Sequence, residues 1–255
     1  IKAGISNISV IATDTNGATG TLAVVLTVNA VIAVSGDATL AVTRGTAKST
    51  NAYTATGGTG AITYSATGTT ASITFNPATQ IVTVATTATT GATVVITATD
   101  ANGATGTTSL VITINAVIAV SGATTLVATS GVAKATAAYS ATGGTGSLTY
   151  SATGTTADIT FDPTTKIVSV ASTATAGATV VITATDTNGA TGSAPLELTV
   201  NVAIAVTGDA TLITTTAIAA ATTAYSATGG TGALTFSATG TTADITFDPA
   251  TKIIS

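Results

Sequence analysis

The sequence predicts an all-β chain of tandem antiparallel β-sandwiches, with about seven strands in each 86-residue repeat. Three observations carry this. Asn-Gly-Ala-Thr-Gly begins at Asn16, Asn102 and Asn188, Thr-Gly-Gly-Thr-Gly at Thr56, Thr142 and Thr228, and Phe-(Asn/Asp)-Pro at Phe75, Phe161 and Phe247. Each string therefore returns after 86 residues with no insertion or deletion, the mark of one structural unit copied in tandem. Between these strings run short stretches in which β-branched residues alternate with period two, as strands require. Finally, 66 of the 255 residues are Thr, and no stretch sustains the 3.6-residue period or the capped apolar stripe of a helix.

The frame divides the chain at 1–29, 30–115, 116–201 and 202–255. Residues 30–115 and 116–201 are full copies that differ at 25 of 86 positions. Residues 1–29 match only the last third of a copy, and 202–255 match only the first two-thirds. The chain opens on Ile1 rather than Met, as a processed protein or a window on a longer one would.

Within a copy the elements follow in order. Thr56-Gly57-Gly58-Thr59-Gly60 supplies residues tolerant of positive φ, and so a turn. It lacks the Lys-Ser/Thr and following helix of a phosphate loop. Asn76-Pro77-Ala78-Thr79 places Pro second in a type I turn, between the strand-like runs Ile73–Phe75 and Ile81–Val84. Asp100-Ala101-Asn102-Gly103 joins the run at 94–99 to the run at 110–114. Strands of this number and spacing fit an immunoglobulin-type sandwich without its disulfide or Trp, since Cys and Trp are absent. The core then falls to Val, Ile, Leu, Phe and tyrosines such as Tyr53, Tyr64 and Tyr139.

These residues resemble a known family. Ala141-Thr-Gly-Gly-Thr-Gly-Ser-Leu-Thr-Tyr-Ser-Ala-Thr-Gly, Ile159-Thr-Phe-Asp-Pro-Thr-Thr and Val181-Ile-Thr-Ala-Thr-Asp-Thr-Asn-Gly-Ala-Thr-Gly are similar to the Ig-like (cadherin-like) tandem repeats of large bacterial and archaeal surface proteins and adhesins. The resemblance spans every copy. It implies an extracellular, non-enzymatic module serving as spacer, stalk or assembly element at the cell surface. The chain departs from the family after the Phe-Asp-Pro hairpin, where Val170-Ala-Ser-Thr-Ala-Thr-Ala-Gly stands in place of a Gly-x-Pro element.

Composition narrows the function. The chain has no His, Cys or Met and only six Lys plus Arg, with a net charge of −4. There is no imidazole base or thiolate nucleophile, no basic stripe for nucleic acid, and no cofactor is expected. No apolar run approaches the roughly 18 residues of a membrane span. A near-neutral, Thr-rich surface permits self-association.

Asp14, Asn16, Asp100, Asn102, Asp186 and Asn188 lie in Asp-x-Asn-Gly turns, where alternating oxygens suit calcium, but calcium wants several carboxylates and an Asx-stabilised hairpin, which needs no ion, is the favoured reading. Asp158 with Asp162, and Asp244 with Asp248, have the look of paired acids, but the first full copy has Ser72 and Asn76 there. Lys48 and Lys134 invite an isopeptide reading, yet Ala220 replaces them in the last copy. These positions read as turn decoration and strand lysines, and the chain is expected not to be an enzyme. Rows of Thr read as outward-facing strand residues.

The split ends point to assembly. The strands missing after Ser255 are those residues 1–29 carry, with Ile8, Val10, Leu22, Val24, Leu26 and Val28 as the donated apolar face. If one copy completes the open sandwich of another, the contact is strand addition, head-to-tail, and generates an open fibre. Equally, the same polypeptide continues on both sides. The leading function is a structural filament, stalk or sheath, with self as partner; the alternative is an adhesin module for glycans or a host or cell surface. A denaturing mass of native material near 24.1 kDa is expected for donated strands, and a mass many times larger for a continuous array.

Overall fold

Alternating Val, Ile and Thr form 24 strands and no helix among the described residues, which in this computed structural model are 2–255; Ile1, the first residue of the partial copy 1–29, lies outside them. By contacts the chain divides into two units. The first runs as far as Val117 and takes in Gly143–Gly146 and Thr187–Ala190; the second holds Ile118–Thr142, Ser147–Asp186 and Thr191–Ser255.

The first unit opens with β1 (Gly4–Thr13) and β2 (Thr19–Val28), an antiparallel hairpin that pairs with no other strand. Nine segments follow: β3 (Ala33–Ser35), β4 (Thr39–Thr43), β5 (Lys48–Ser49), β6 (Thr54–Thr56), β7 (Thr63–Thr67), β8 (Ile73–Asn76), β9 (Ile81–Val84), β10 (Ala92–Thr99) and β11 (Thr105–Asn115). One sheet has the order β4-β11-β10-β7 and a second the order β5-β9-β8, with β3 and β6 paired beside them. Three of the nine segments are two or three residues long, too short for their periodicity to register in the sequence. All pairings are antiparallel except β4 with β11, which run parallel from Thr39↔Val111 to Thr43↔Asn115.

Period-two alternation puts Val94, Ile96, Leu110 and Ile112 on one face, where they are fully or nearly fully buried against Leu40, Val42, Ile73, Val82 and Val84. Tyr53 enters this core, and its hydroxyl donates to the Asp37 carbonyl at 2.6 Å. The bond recurs from Tyr139 to Ala123 and from Tyr225 to Asp209. Only the backbone oxygen is used, which explains why Ala123 serves where the other copies have Asp. The ring lies over a glycine: a Cβ on Gly36 would sit 2.2 Å from Tyr53, and one on Gly122 2.1 Å from Tyr139.

Not all Thr faces outward. Thr50 is buried, donates its N–H to the Val82 carbonyl and accepts from Val82 N–H through Oγ1 at 3.1 Å. Thr136 does the same with Val168. The hydroxyl completes a ladder rung that backbone alone leaves open.

In the second unit the nine segments recur 86 residues on, from Ala119–Ser121 to Thr191–Asn201, with the same sheet orders. In the stretch 170–177, Ala174 N–H turns back to the Ala171 carbonyl and buries its methyl in the core, as Ala88 does with Ala85. The Asn-Pro and Asp-Pro hairpins close by a bond from the fifth residue's N–H to the first residue's carbonyl, Gln80 to Asn76, Lys166 to Asp162 and Lys252 to Asp248, and that fifth residue is left-handed, with φ near +60°.

Two substitutions check this packing. Gly122→Ala is expected to lower unfolding stability by about 1–3 kcal/mol through forced displacement of the Tyr139 ring. Tyr139→Phe should lower it by about 1 kcal/mol by leaving the Ala123 carbonyl unpaired. Urea midpoints measure both, and an unchanged midpoint for Gly122→Ala contradicts the packing described.

Candidate assembly surface

The hairpin β1–β2 has the register of its counterparts. Ile8 faces Val24 and Val10 faces Leu22, as Val94 faces Leu110 and Ile96 faces Thr108. Within a full copy that inner face is covered: Val94, Ile96 and Leu110 have no exposed surface. On the hairpin the equivalent side chains are bare, with Ile8 47% exposed, Val10 56%, Val24 41% and Leu26 48%. Leu22 is exposed as well, and Val28 is half-buried. All six expected donor residues therefore lie on one face, and five of them face solvent.

Residues 202–255 show the converse. Nothing in this segment corresponds to β10 or β11. The positions equivalent to β4 and β7, 211–215 and 235–239, form strands in neither case. In both full copies these positions are strands, and their hydrogen-bonded partners are β11 and β10 or the equivalents. The pair Ala205–Thr207 with Ser226–Thr228 persists, because each strand supplies the other's bonds. Leu212 and Ile245, whose equivalents Leu40 and Ile73 are buried, are exposed. An open concavity of about 380 Å³ lies among Val206, Tyr225, Phe236, Ala238, Phe247 and Ile254.

The acidic turns are built from backbone donors. Asp100 Oδ1 accepts the N–H groups of Asn102 and Ala104 at 2.9 Å each, and Oδ2 accepts Thr59 N–H at 2.8 Å. Burial pushes the Asp100 carboxyl up, but the N–H groups of Thr59, Ala104, Asn102 and Gly103 outweigh it and hold the carboxyl below its ordinary range. Asp14 Oδ1 accepts from Asn16 and Ala18 in the same way. Asn16 and Asn102 join these turns through backbone N–H, whereas the Asn188 side chain donates to the Ala41 carbonyl and accepts from Lys48 Nζ at 2.5 Å. Asp186 is buried. Among the described residues, no group of three or more His, Cys, Asp or Glu gathers in a metal-binding arrangement.

The paired acids are separately engaged. Asp158 accepts from the Thr173 hydroxyl, while Asp162 accepts from Thr164 N–H and the Thr165 hydroxyl. Lys134 Nζ donates to the Val127 carbonyl at 2.6 Å. Sequence reasoning missed three side-chain bonds: Asn29 Nδ2 to Thr59 Oγ1, Asn115 to Thr145 and Asn201 to Thr231. Each spans 30 residues, and the fixed offset between Asn and the glycine-rich turn was the available signal.

No family model matches the chain, and no curated protein sequence matches it. Among solved structures it is similar to the I-band fragment I67-I69 from titin, at 8% identity over 80% of this chain and 77% of that one, with a TM-score of 0.43. It is also similar to Drosophila OTK extracellular domains 3–5, at 10% identity over 78% and 71% with a TM-score of 0.40. For Sidekick-1 immunoglobulin domains 1–4 the figures are 12%, 78%, 58% and 0.36. Each likeness is in fold alone. No helix among the described residues is long and apolar enough to cross a membrane.

The turn carboxylates set a pH dependence. Thr164 N–H leads in holding Asp162 below its ordinary 3.8, the Thr251 hydroxyl leads for Asp248, and Asp100 is lowered as above. A lowered folded value contributes stability that is complete above about pH 4 and is lost as pH falls through the folded value. Urea midpoints should therefore hold from pH 7 to 5 and drop toward pH 2, with a smaller drop in Asp162→Asn. An acid drop as large in that variant as in the parent chain contradicts the role given to Asp162.

Proposed function

We propose that the chain is a non-enzymatic structural protein of the cell surface that forms a filament, stalk or sheath. Its copies join head-to-tail as the hairpin Gly4–Val28 of one completes the open sandwich 202–255 of another. The full modules are 30–115 and 116–201, and the joint rebuilds a third from the partial copies 1–29 and 202–255. The extracellular setting rests on the resemblance of the repeat to surface-protein modules.

A single observation carries the assembly reading. The positions equivalent to β4 and β7 are strands wherever a central hairpin is present and not where it is missing, while a hairpin of matching register stands with its apolar face bare. Full burial of a Val, Leu or Ile side chain gives about 1.5–3 kcal/mol, so covering these half-exposed ones gives roughly 1 kcal/mol each. The five exposed ones together offset much of the several kcal/mol lost in immobilising a partner. The new strand pairs on both sides of the hairpin then tip the balance, because each strand edge otherwise faces water unpaired. A heterologous contact of this kind does not close on itself and extends into a fibre.

The 255-residue chain is expected to elongate reversibly as concentration rises, seen by sedimentation and electron microscopy. Val10→Asp should abolish elongation by placing a charge at a position that is fully buried in the full copies, with little change in the melting of those copies. Elongation undiminished in Val10→Asp, or a chain that stays monomeric at every concentration, overturns the proposal.

A further inference from the structure

The tip of the central hairpin makes its own contact in a full copy, distinct from the apolar face. Thr59, in the Gly57–Gly60 turn, is held from both sides: its N–H donates to Asp100 Oδ2 at 2.8 Å, and its carbonyl accepts Ala101 N–H at 3.0 Å. In the next copy, the Thr145 carbonyl likewise accepts Thr187 N–H at 3.2 Å. The approach is close enough to need glycine on both sides. A Cβ on Gly60 would lie 3.0 Å from Ala101, and one on Gly146 2.7 Å from Thr187. Across the hairpin, a Cβ on Gly106 would lie 2.4 Å from the Ile32 carbonyl oxygen, and one on Gly192 2.3 Å from that of Ile118.

Both halves of this clasp recur in the partial copies 1–29 and 202–255, each without the other among the described residues. Asp14 uses Oδ1 within its own turn, and Oδ2 has no hydrogen-bond partner among the described residues; Thr15 stands where Ala101 does. Gly20 stands where Gly106 does, and a Cβ there would meet nothing within 4 Å. In the loop Thr228–Gly232, Thr231 holds the place of Thr59, and a Cβ on Gly232 would likewise meet nothing. Thr231 spends its hydroxyl on Asn201 and Thr129, leaving its N–H and carbonyl for a partner.

We infer that this glycine-walled loop is a socket for the acidic turn of a second copy: Thr231 N–H donates to Asp14 Oδ2, Thr15 N–H donates to the Thr231 carbonyl, and Gly20 packs against the Ile204 carbonyl. The inference rests on the strand-addition reading and adds the element that fixes its register. Apolar faces alone tolerate slippage by two residues along a strand, since the inward set is preserved. A two-bond clasp at the tip admits one register: Ser9–Thr13 against Thr235–Thr239, and Val25–Asn29 beside Thr211–Thr215.

The test uses the 255-residue chain and three variants. Gly20→Val adds a β-favouring side chain where the free hairpin has room, so the hairpin itself keeps its fold, yet the added bulk meets the Ile204 carbonyl on docking. Elongation should weaken about tenfold to a hundredfold. Asp14→Asn keeps the oxygen that closes its own turn but turns an amide N–H₂ toward Thr231 N–H, and should weaken elongation about tenfold. Thr21→Val, on the outward face beside Gly20, should elongate as the parent does. Amide exchange at Thr231 should slow on elongation in the parent and remain fast in Asp14→Asn. If the parent and both variants elongate alike with Thr231 exchanging freely, the clasp is wrong and strand addition stands. If the parent never elongates, both fall together.

Discussion

Two strands at the centre of each sandwich, β10 and β11, hold the rest in place. Together they supply the edge on which β7 pairs, the edge on which β4 pairs, and the apolar face that closes the core over Tyr53, Ile73 and Val82. Backbone N–H and C=O groups without a partner are unfavourable in a closed core, so strands adjacent to this hairpin exist only with it. The chain contains its own control. Two copies have the hairpin and form the flanking strands; the segment 202–255 has none and forms neither, although 235–239 differs from 63–67 only at Phe236 and 211–215 keeps Thr211, Leu212 and Thr215. Strand propensity alone does not make a strand in Thr-Phe-Ser-Ala-Thr; pairing does.

The rest of the chemistry follows from building a core with few residue types. With no Cys or Trp and few aromatics, each copy relies on small β-branched side chains and on close backbone approach. Tyrosine reaches a carbonyl across a glycine, and Thr50 and Thr136 turn their hydroxyls inward to finish a ladder. Among the described residues, no buried side-chain nitrogen or oxygen lacks a hydrogen-bond partner. Turn carboxylates such as Asp14 and Asp100 gather backbone N–H groups, while Lys48, Lys134 and Glu197 stand in strands. A repeat made this way tolerates the differences between copies because most fall on outward positions or use only the backbone, as at Ala123.

Much of this was legible in the sequence. The 86-residue period, the all-β class, the turn at Asn76-Pro77 and the inward face of the hairpin follow from spacing and alternation, because a strand's period fixes which side chains share a face. The parallel pairing of β4 with β11 was not legible, since alternation says which face a residue takes and nothing of its neighbour's direction. Nor were the buried threonines, whose hydroxyls read as outward until a ladder gap calls them in. The Asn–Thr bonds at 30-residue spacing and the tip contact of Asp100 with Thr59 depend on loops meeting in space. Their only trace in the sequence is an unvarying offset between motifs.

The claim on which the account turns is that a hairpin from one copy creates the missing strands in another. Amide hydrogen exchange at 211–215 and 235–239, followed while the 255-residue chain is concentrated, tests it directly. The account predicts fast exchange when dilute and strong slowing as the chain elongates, confined to these segments and to the outer edges of Gly4–Val28. Exchange that stays fast in the elongated state, or is already slow in the dilute monomer, contradicts it.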